Sequence, residues 1–199
     1  MTEAPVSNPP DEALVGRAQQ GEAEAFDALV RRHQQLVFSV ALRMLGDRGE
    51  AEDVAQDVFL RAYDGLGGFR GQAKLSTWLV SITVNLCRNR RRWWARRRQV
   101  IAASLDEPIR PEEDAAGHDA PDPAPGPMAA AEQRERQQML TVALQQLPLA
   151  DRTIIVLRDI NGHSYEEIAG MLGCQLGTVK SRLSRARLQL RARLDGRLQ

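Results

Sequence analysis

The sequence predicts an all-α protein made of two small helical domains joined by a flexible linker. Helix-forming residues (Ala, Leu, Arg, Gln and Glu) dominate, and aromatic residues make up only 5% of the 199 residues. Apolar residues recur at helical spacing on both sides of an acidic, proline-rich stretch at 106–127. The C-terminal part carries the pattern of a helix, a tight turn and a second, basic helix, which is typical of a helix-turn-helix.

The first predicted domain covers residues 11–98 and follows a disordered N-terminus at 1–10, where small and polar residues show no periodicity. Asp11 can cap a short helix that runs through Gln19. A second, longer helix follows. A third, at 50–63, matches helical spacing at every apolar position.

A loop with four glycines at 65–73 separates these helices from the last helix of the first domain. Ser76 or Thr77 can cap that last helix, which is expected to run from Trp78 into an arginine-rich end. The loop and the basic helix after it together suit nucleic-acid binding.

Charge is segregated along the chain, although the net charge is only +1. Residues 88–98 contain seven arginines and no acid, whereas residues 47–64 contain six acids against Arg48 and Arg61. Separate basic and acidic surfaces predict two kinds of partner, nucleic acid and a basic protein surface.

The second predicted domain covers residues 128–199, after a linker at 99–127. Ser164 and Glu167 match a capping box, and Gly173 can end that helix with a positive φ. The apolar stripe of the following helix comprises Leu176, Val179, Leu183, Ala186 and Leu190. An ordinary helical hairpin is the alternative, but it does not explain why seven basic residues and one acid follow position 175.

Cofactor-dependent and metal-dependent chemistry are not expected. Two distant cysteines, Cys87 and Cys174, form no disulfide framework and fit a reducing cytoplasm. No spacing typical of a metal site, a catalytic nucleophile or a phosphate-binding loop is found in the sequence. Neither a signal peptide nor a stretch of membrane-spanning length is found, so membrane insertion is not expected.

Three segments together resemble the extracytoplasmic-function class of bacterial sigma factors. They are GEAEAFDALVRRHQQLVFSVALRMLGDRGEAEDVAQDVFLRAY, FRGQAKLSTWLVSITVNLCRNRRR and LQQLPLADRTIIVLRDINGHSYEEIAGMLGCQLGTVKSRLSRAR. The resemblance spans most of residues 12–195 and both predicted domains in order. It implies a region 2 domain at 11–98, a region 4 domain at 128–199, and a role in promoter-specific transcription initiation without catalysis by the chain itself.

The resemblance also implies partners and site residues. Core RNA polymerase would be bound through its β′ clamp helices and its β flap, and an anti-sigma protein is a further expected partner. The residues implied for docking on polymerase are Asp53, Gln56, Asp57 and Leu60. Those implied for reading the −10 promoter element are Phe69, Arg70, Lys74, Asn85, Arg88, Asn89 and Arg92. Those implied for reading the −35 element are Thr178, Lys180, Ser181, Arg182, Ser184, Arg185 and Arg187.

The chain departs from the family pattern at several positions. Ser184 is small where many relatives carry a larger side chain, and Gln175 replaces a better capping residue. Trp93 and Trp94 have no assigned family role. A free-standing helix-turn-helix regulator is the alternative function, but it would need no acidic docking face and usually dimerises on a palindrome.

Overall fold

The computed structural model describes residues 9–104 and 127–195, except for the side chains at 98–104 and 127–134. Within these ranges the chain is helical and contains no strand, which confirms the all-α prediction. The helices are α1 Asp11–Gln19, α2 Ala23–Leu45, α3 Arg48–Gly65, α4 Leu75–Ser104, α5 Pro127–Gln145, α6 Leu149–Ile155, α7 Tyr165–Leu172 and α8 Leu176–Asp195. The expectations for residues 1–8, for most of the linker and for the last four residues lie outside the described ranges.

The N-terminal half is a bundle in which α2 contacts α1, α3 and α4. The long α2 ends at Gly46, which has a φ of 82° and is followed by Asp47. The Asp47 side chain accepts a hydrogen bond of 2.7 Å from the Glu50 amide and so caps α3.

Two expected helix caps in this half were wrong. Asp11 is the first residue of α1 rather than its cap, and Pro10 precedes it in extended conformation because proline suits the start of a helix. Helix α4 begins at Leu75, so Ser76 and Thr77 lie inside its first turn.

In the C-terminal half, α8 contacts α5, α6 and α7. Helix α5 ends at Gln145, and Pro148 lies just before α6. Directly after α6, residues Val156–Ile160 form one π-helical turn.

The helix-turn-helix forms as predicted. Ser164 accepts from the Glu167 amide at 3.1 Å, and the Glu167 carboxylate accepts from the Ser164 amide at 2.7 Å, which completes the capping box. Gly173 ends α7 with a φ of 62°. Ile168 on α7 and Val179 on α8 are fully buried, so the two helices are locked together by apolar packing.

The two halves pack against each other through the fully buried side chain of Arg152 on α6. Its guanidinium donates to the carbonyl oxygens of Leu144, Gln145 and Leu147 in its own half. It also donates to the carbonyl oxygen of Met44 at the end of α2. These bonds satisfy a buried charge and tie α2 to the C-terminal half.

Candidate nucleic-acid and partner interfaces

Helix α3 presents an exposed strip of mixed acidic and apolar character. Leu60 and Tyr63 expose 65% and 61% of their surface, although both are large apolar side chains. Gln56 is exposed and Asp57 half-buried on the same helix. Exposed apolar side chains beside acids are typical of a protein-docking surface.

Asp53 differs from the other expected docking residues because it already has a partner. Arg90 of α4 donates to Asp53 at 2.8 Å and also to Glu50. These two ion pairs raise the pKa of Arg90, the Glu50 hydrogen bond having the larger effect. Asp53 therefore joins α3 to α4 as well as lying on the acidic strip.

The loop before α4 holds the first three residues expected at the −10 element. A 3₁₀ turn at Leu66–Gly68 opens it, and Leu66 is buried. The Phe69 ring stacks at a tilt on Trp78, with ring centroids 5.1 Å apart. Arg70 and Lys74 are exposed, so the loop has an aromatic base and a cationic rim.

Helix α4 presents its remaining expected DNA-reading residues along one side. Asn85, Asn89 and Arg92 are exposed and Arg88 is half-buried. Their spacing of three and four residues places them on a common helical face. Asparagine can read base edges and arginine can bind bases or phosphates, so this face suits DNA.

The two tryptophans lie beyond these residues on α4. Both are partly exposed and pack edge to face, with centroids 4.7 Å apart. The guanidinium of Arg97 lies 5.1 Å from the centroid of the Trp93 ring. Trp94 lines a cavity with Asp47 and Glu50.

Helix α8 separates a buried apolar side from an exposed polar one. Val179, Leu183 and Ala186 are buried against the rest of the C-terminal half. The expected −35 readers that are exposed are Lys180, Ser181, Ser184, Arg185 and Arg187, while Thr178 and Arg182 are half-buried.

Arg187 is already engaged within its own domain. It pairs with Asp159 of the π-helical turn through two hydrogen bonds, one of them 2.9 Å long. Donation to this carboxylate raises the pKa of Arg187. This pair spans α8 and the turn before α7, so it braces the helix-turn-helix.

The two surfaces expected to read DNA lie on parts of the chain that touch each other. Thr77, near the start of α4, donates a hydrogen bond of 3.2 Å to the Glu167 carboxylate on α7. A cavity of about 540 Å³ opens beside this bond between Phe69 and Trp78 on one side and Met171 on the other. The loop and the helix-turn-helix therefore face each other across a narrow gap.

Sequence reasoning missed three residues that organise these surfaces. Arg152 was not singled out, because its partner in the other half, the Met44 carbonyl, lies 108 residues away. Tyr63 was not named beside Leu60. Gln19 was expected only to end α1, but its side chain contacts the loop before α4.

Within the described residues, no group of three or more His, Cys, Asp and Glu side chains could hold a metal ion. The same residues include no helix long and apolar enough to cross a bilayer.

Comparison with known proteins decides the family. The family model of sigma-70 region 2 matches residues 29–98, and that of sigma-70 region 4 matches residues 137–190. The RNA polymerase sigma-H factor of Pseudomonas aeruginosa is 37% identical over 177 residues, which cover 89% of this chain and 90% of that protein. The same identity and coverage relate the chain to the ECF RNA polymerase sigma-E factor of Escherichia coli.

The chain belongs to the extracytoplasmic-function class of sigma factors. Sigma factors bind RNA polymerase and promoter DNA and direct transcription initiation, and they are not themselves enzymes. The function expected from the sequence is confirmed at this level, and the free-standing regulator is not supported.

Solved structures of sigma factors share this architecture. The sigma factor RpoE of Bartonella quintana, solved in complex with the anti-sigma factor NepR, is 28% identical with a TM-score of 0.64. That match covers 85% of this chain and 96% of RpoE. CnrH, solved with the cytosolic domain of CnrY, is 28% identical with a TM-score of 0.62 and covers 94% of this sigma factor and 97% of CnrH.

Proposed function

We propose that this sigma factor docks on core RNA polymerase through α3 and reads a two-part promoter with α4 and α8. The observation that carries the proposal is the division of surfaces along one chain. An acidic and apolar strip lies on α3, and two separate basic faces lie on α4 and α8. One acidic docking face and two DNA-reading faces are what a two-element initiation factor requires.

Docking would rest on Gln56, Asp57 and Leu60, with Asp53 at the edge of the strip. A basic helical surface such as the β′ clamp helices would pair with the acids and cover Leu60. Tyr63 extends the same apolar area, since it is similarly exposed. The region 4 domain would supply the contact to the β flap.

The −10 element would be read by the loop and by α4. Arg70 and Lys74 would bind phosphates at the loop rim, and Phe69 with Trp78 would form an aromatic floor for an unstacked base. Asn85, Arg88, Asn89 and Arg92 would contact the DNA along the face of α4.

The −35 element would be read by α8 in the major groove. Lys180, Ser181, Ser184 and Arg185 would face the bases, and Thr178 and Arg182 would lie at the edge of the contact. Arg187 would not read bases, because its guanidinium is already paired with Asp159. It would instead stabilise the domain through this pair or bind a phosphate.

The proposed domain limits are 11–98 and 128–199, joined by the acidic linker at 99–127. Elements named for positions −35 and −10 would be roughly 25 base pairs, or about 85 Å, apart along B-form DNA. The Thr77–Glu167 hydrogen bond instead holds the start of α4 against α7, next to the −35-reading helix. The contact between the halves must therefore open before both elements can be read together.

An anti-sigma protein is a natural candidate to control this opening. RpoE and CnrH were each solved with a second protein bound, an anti-sigma factor in the case of RpoE. We propose a partner of this kind for the present chain, acting in the cytoplasm where polymerase is found. The chain itself would supply no catalytic residue and need no cofactor, since polymerase carries out the chemistry.

Run-off transcription with purified core polymerase tests the proposal. The template would be a fragmented bacterial genome library, with and without this protein. New transcripts that share a two-element motif are the expected result. DNA binding without new transcripts would instead support the free-standing regulator and overturn the proposal.

A further inference from the structure

The side-chain amide of Gln19, the last residue of α1, contacts the loop before α4 at two points. Its Nε2 atom donates to the carbonyl oxygen of Leu66 and to that of Phe69, each at 2.9 Å. One amide group thus spans the whole 3₁₀ turn that opens the loop. Both hydrogens of the amide are used in this contact.

The two carbonyls stand at positions that determine where the loop goes. Leu66 is buried and anchors the end of α3 in the bundle core. Phe69 follows the turn and places its ring on Trp78. The Leu66 carbonyl also accepts from the Phe69 amide at 3.0 Å, so it would keep one donor without Gln19. The Phe69 carbonyl would have to find water, and the turn would lose its only described side-chain support from α1.

Helix α1 is fixed firmly enough to act as a support. At its other end, Asp11 accepts a hydrogen bond of 2.5 Å from Arg32 and lies 2.8 Å from the His33 ring nitrogen. Both partners lie on α2, and Leu14 and Val15 of α1 are buried. The helix is therefore held to α2 at one end and to the loop at the other.

The same helix walls a cavity of about 350 Å³ whose opposite side is the loop. Glu12 and Val15 line it from α1, and Phe69 and Lys74 line it from the loop. The region 2 family model begins only at residue 29, so α1 lies outside the matched segment. Nothing in that match assigns α1 a role.

We propose that Gln19 is a positioning residue for −10 recognition: it sets the conformation of the loop through the carbonyls of Leu66 and Phe69. The proposal rests on the proposed function for its promoter readout. The geometric part, that Gln19 orders the loop, stands on the free protein alone.

Four variants distinguish the loss of the hydrogen-bond donor at residue 19 from changes in side-chain size and in charge. Gln19→Glu keeps the shape but removes the donor, and Gln19→Ala removes the side chain. Gln19→Lys restores a donor at the same place. Gln20→Glu, at the exposed next residue, is the control for added negative charge.

Amide hydrogen exchange over residues 66–74 of the free, full-length protein is the first readout. We expect Gln19→Glu and Gln19→Ala to lose about five- to thirtyfold of the protection in this loop. Gln20→Glu should match the unchanged protein, and Gln19→Lys should recover part of the loss. Equal loop protection in Gln19→Glu and Gln20→Glu would overturn the proposal, whatever the transcription results.

Transcription on promoters with an intact or an altered −10 element is the second readout. We expect Gln19→Glu to reduce about tenfold the ratio of transcript yields from the intact and the altered promoter. Its affinity for core polymerase should stay unchanged. A loss of polymerase affinity alone would contradict the assignment to −10 reading. If the unchanged protein does not distinguish the promoters, the proposed function fails, and the exchange result still decides the role of Gln19 in the loop.

Discussion

Thr77 and Glu167 are ninety residues apart in sequence and share a hydrogen bond of 3.2 Å. Thr77 lies in the first turn of α4, and Glu167 lies in the first turn of α7, three residues after the N-cap Ser164. One carboxylate therefore closes the capping box of the helix-turn-helix and also contacts the N-terminal half. The following predictions concern this contact and the surfaces around it.

Protonation of Glu167 is expected to weaken the fold in acid. The hydrogen bond from the Ser164 amide holds the pKa of Glu167 below its usual value of 4.5, and the bond from Thr77 adds to this. The folded protein binds this proton less readily than the unfolded chain does. The stabilisation is therefore complete above pH 4.5 and is lost as the pH falls through the folded-state pKa.

The variant Glu167→Gln tests this pH dependence, because it keeps an acceptor oxygen but cannot titrate. The free energy of unfolding should fall less steeply in the variant than in the unchanged protein when the pH is lowered from 5 to 3. Glu166→Gln, at the exposed neighbouring residue, is the control. Identical pH profiles for Glu167→Gln and the unchanged protein would contradict the role given to Glu167.

Arg152→Met should destabilise the protein strongly. The change leaves several buried carbonyls without a donor, so we expect a loss of about 3 kcal/mol in the free energy of unfolding. Arg191→Met, at a side chain that is 82% exposed, should change the free energy of unfolding by no more than about 0.5 kcal/mol. Urea unfolding followed by circular dichroism measures both, and equal midpoints would show that the buried guanidinium contributes nothing.

Burial lowers the pKa of Arg152 to about 10, with nearby Arg91 adding to the effect. The guanidinium nevertheless keeps its proton at neutral pH. Its five hydrogen bonds thus all remain available under ordinary conditions.

Asp57→Arg should weaken binding to core polymerase about tenfold or more, because it places a cation where a basic partner surface is expected. The half-buried Asp57 has no ion pair with another described residue, in contrast to Asp53, so the substitution should leave the fold intact. Glu24→Arg, at an exposed position in the first turn of α2, is the matched charge reversal. Fluorescence titration against core enzyme measures the affinities, and equal values for the two variants would place the docking surface elsewhere.

Arg185→Ala should cost about 1–3 kcal/mol of binding at the proper −35 sequence if the guanidinium reads a base edge. The loss should be much smaller on DNA with that element scrambled. Arg191→Ala, further along α8, should weaken both DNAs alike. Equal losses on both DNAs for Arg185→Ala would instead identify a phosphate contact.

Local signals in the sequence were sufficient for the helix-turn-helix. The capping box and the glycine that follows act within ten residues, so a linear pattern specifies them. The same holds for the middle of the apolar stripe of α8, where Val179, Leu183 and Ala186 are buried, although Leu176 at its start is exposed. The helix start was less accurate where proline competed with a capping side chain, as at Pro10 before Asp11.

Long-range polar contacts could not be predicted in this way. Arg152 reads in the sequence as an ordinary surface cation, and only the fold brings carbonyls from both halves around it. Gln19 likewise reads as a helix end, whereas its partners lie 47 and 50 residues away. Side chains that satisfy distant backbone groups leave no periodic trace.

The burial of Cys87 gives the protein a built-in chemical reporter. Its side chain is fully buried on α4, and loss of solvation raises the pKa of the thiol to about 12. Only the thiolate reacts with alkylating reagents. The intact bundle therefore protects this sulfur in two ways, because burial excludes the reagent and the raised pKa keeps the thiol protonated. Labelling of Cys87 therefore measures how often the N-terminal bundle unfolds, while the half-buried Cys174 in the turn between α7 and α8 serves as the internal reference.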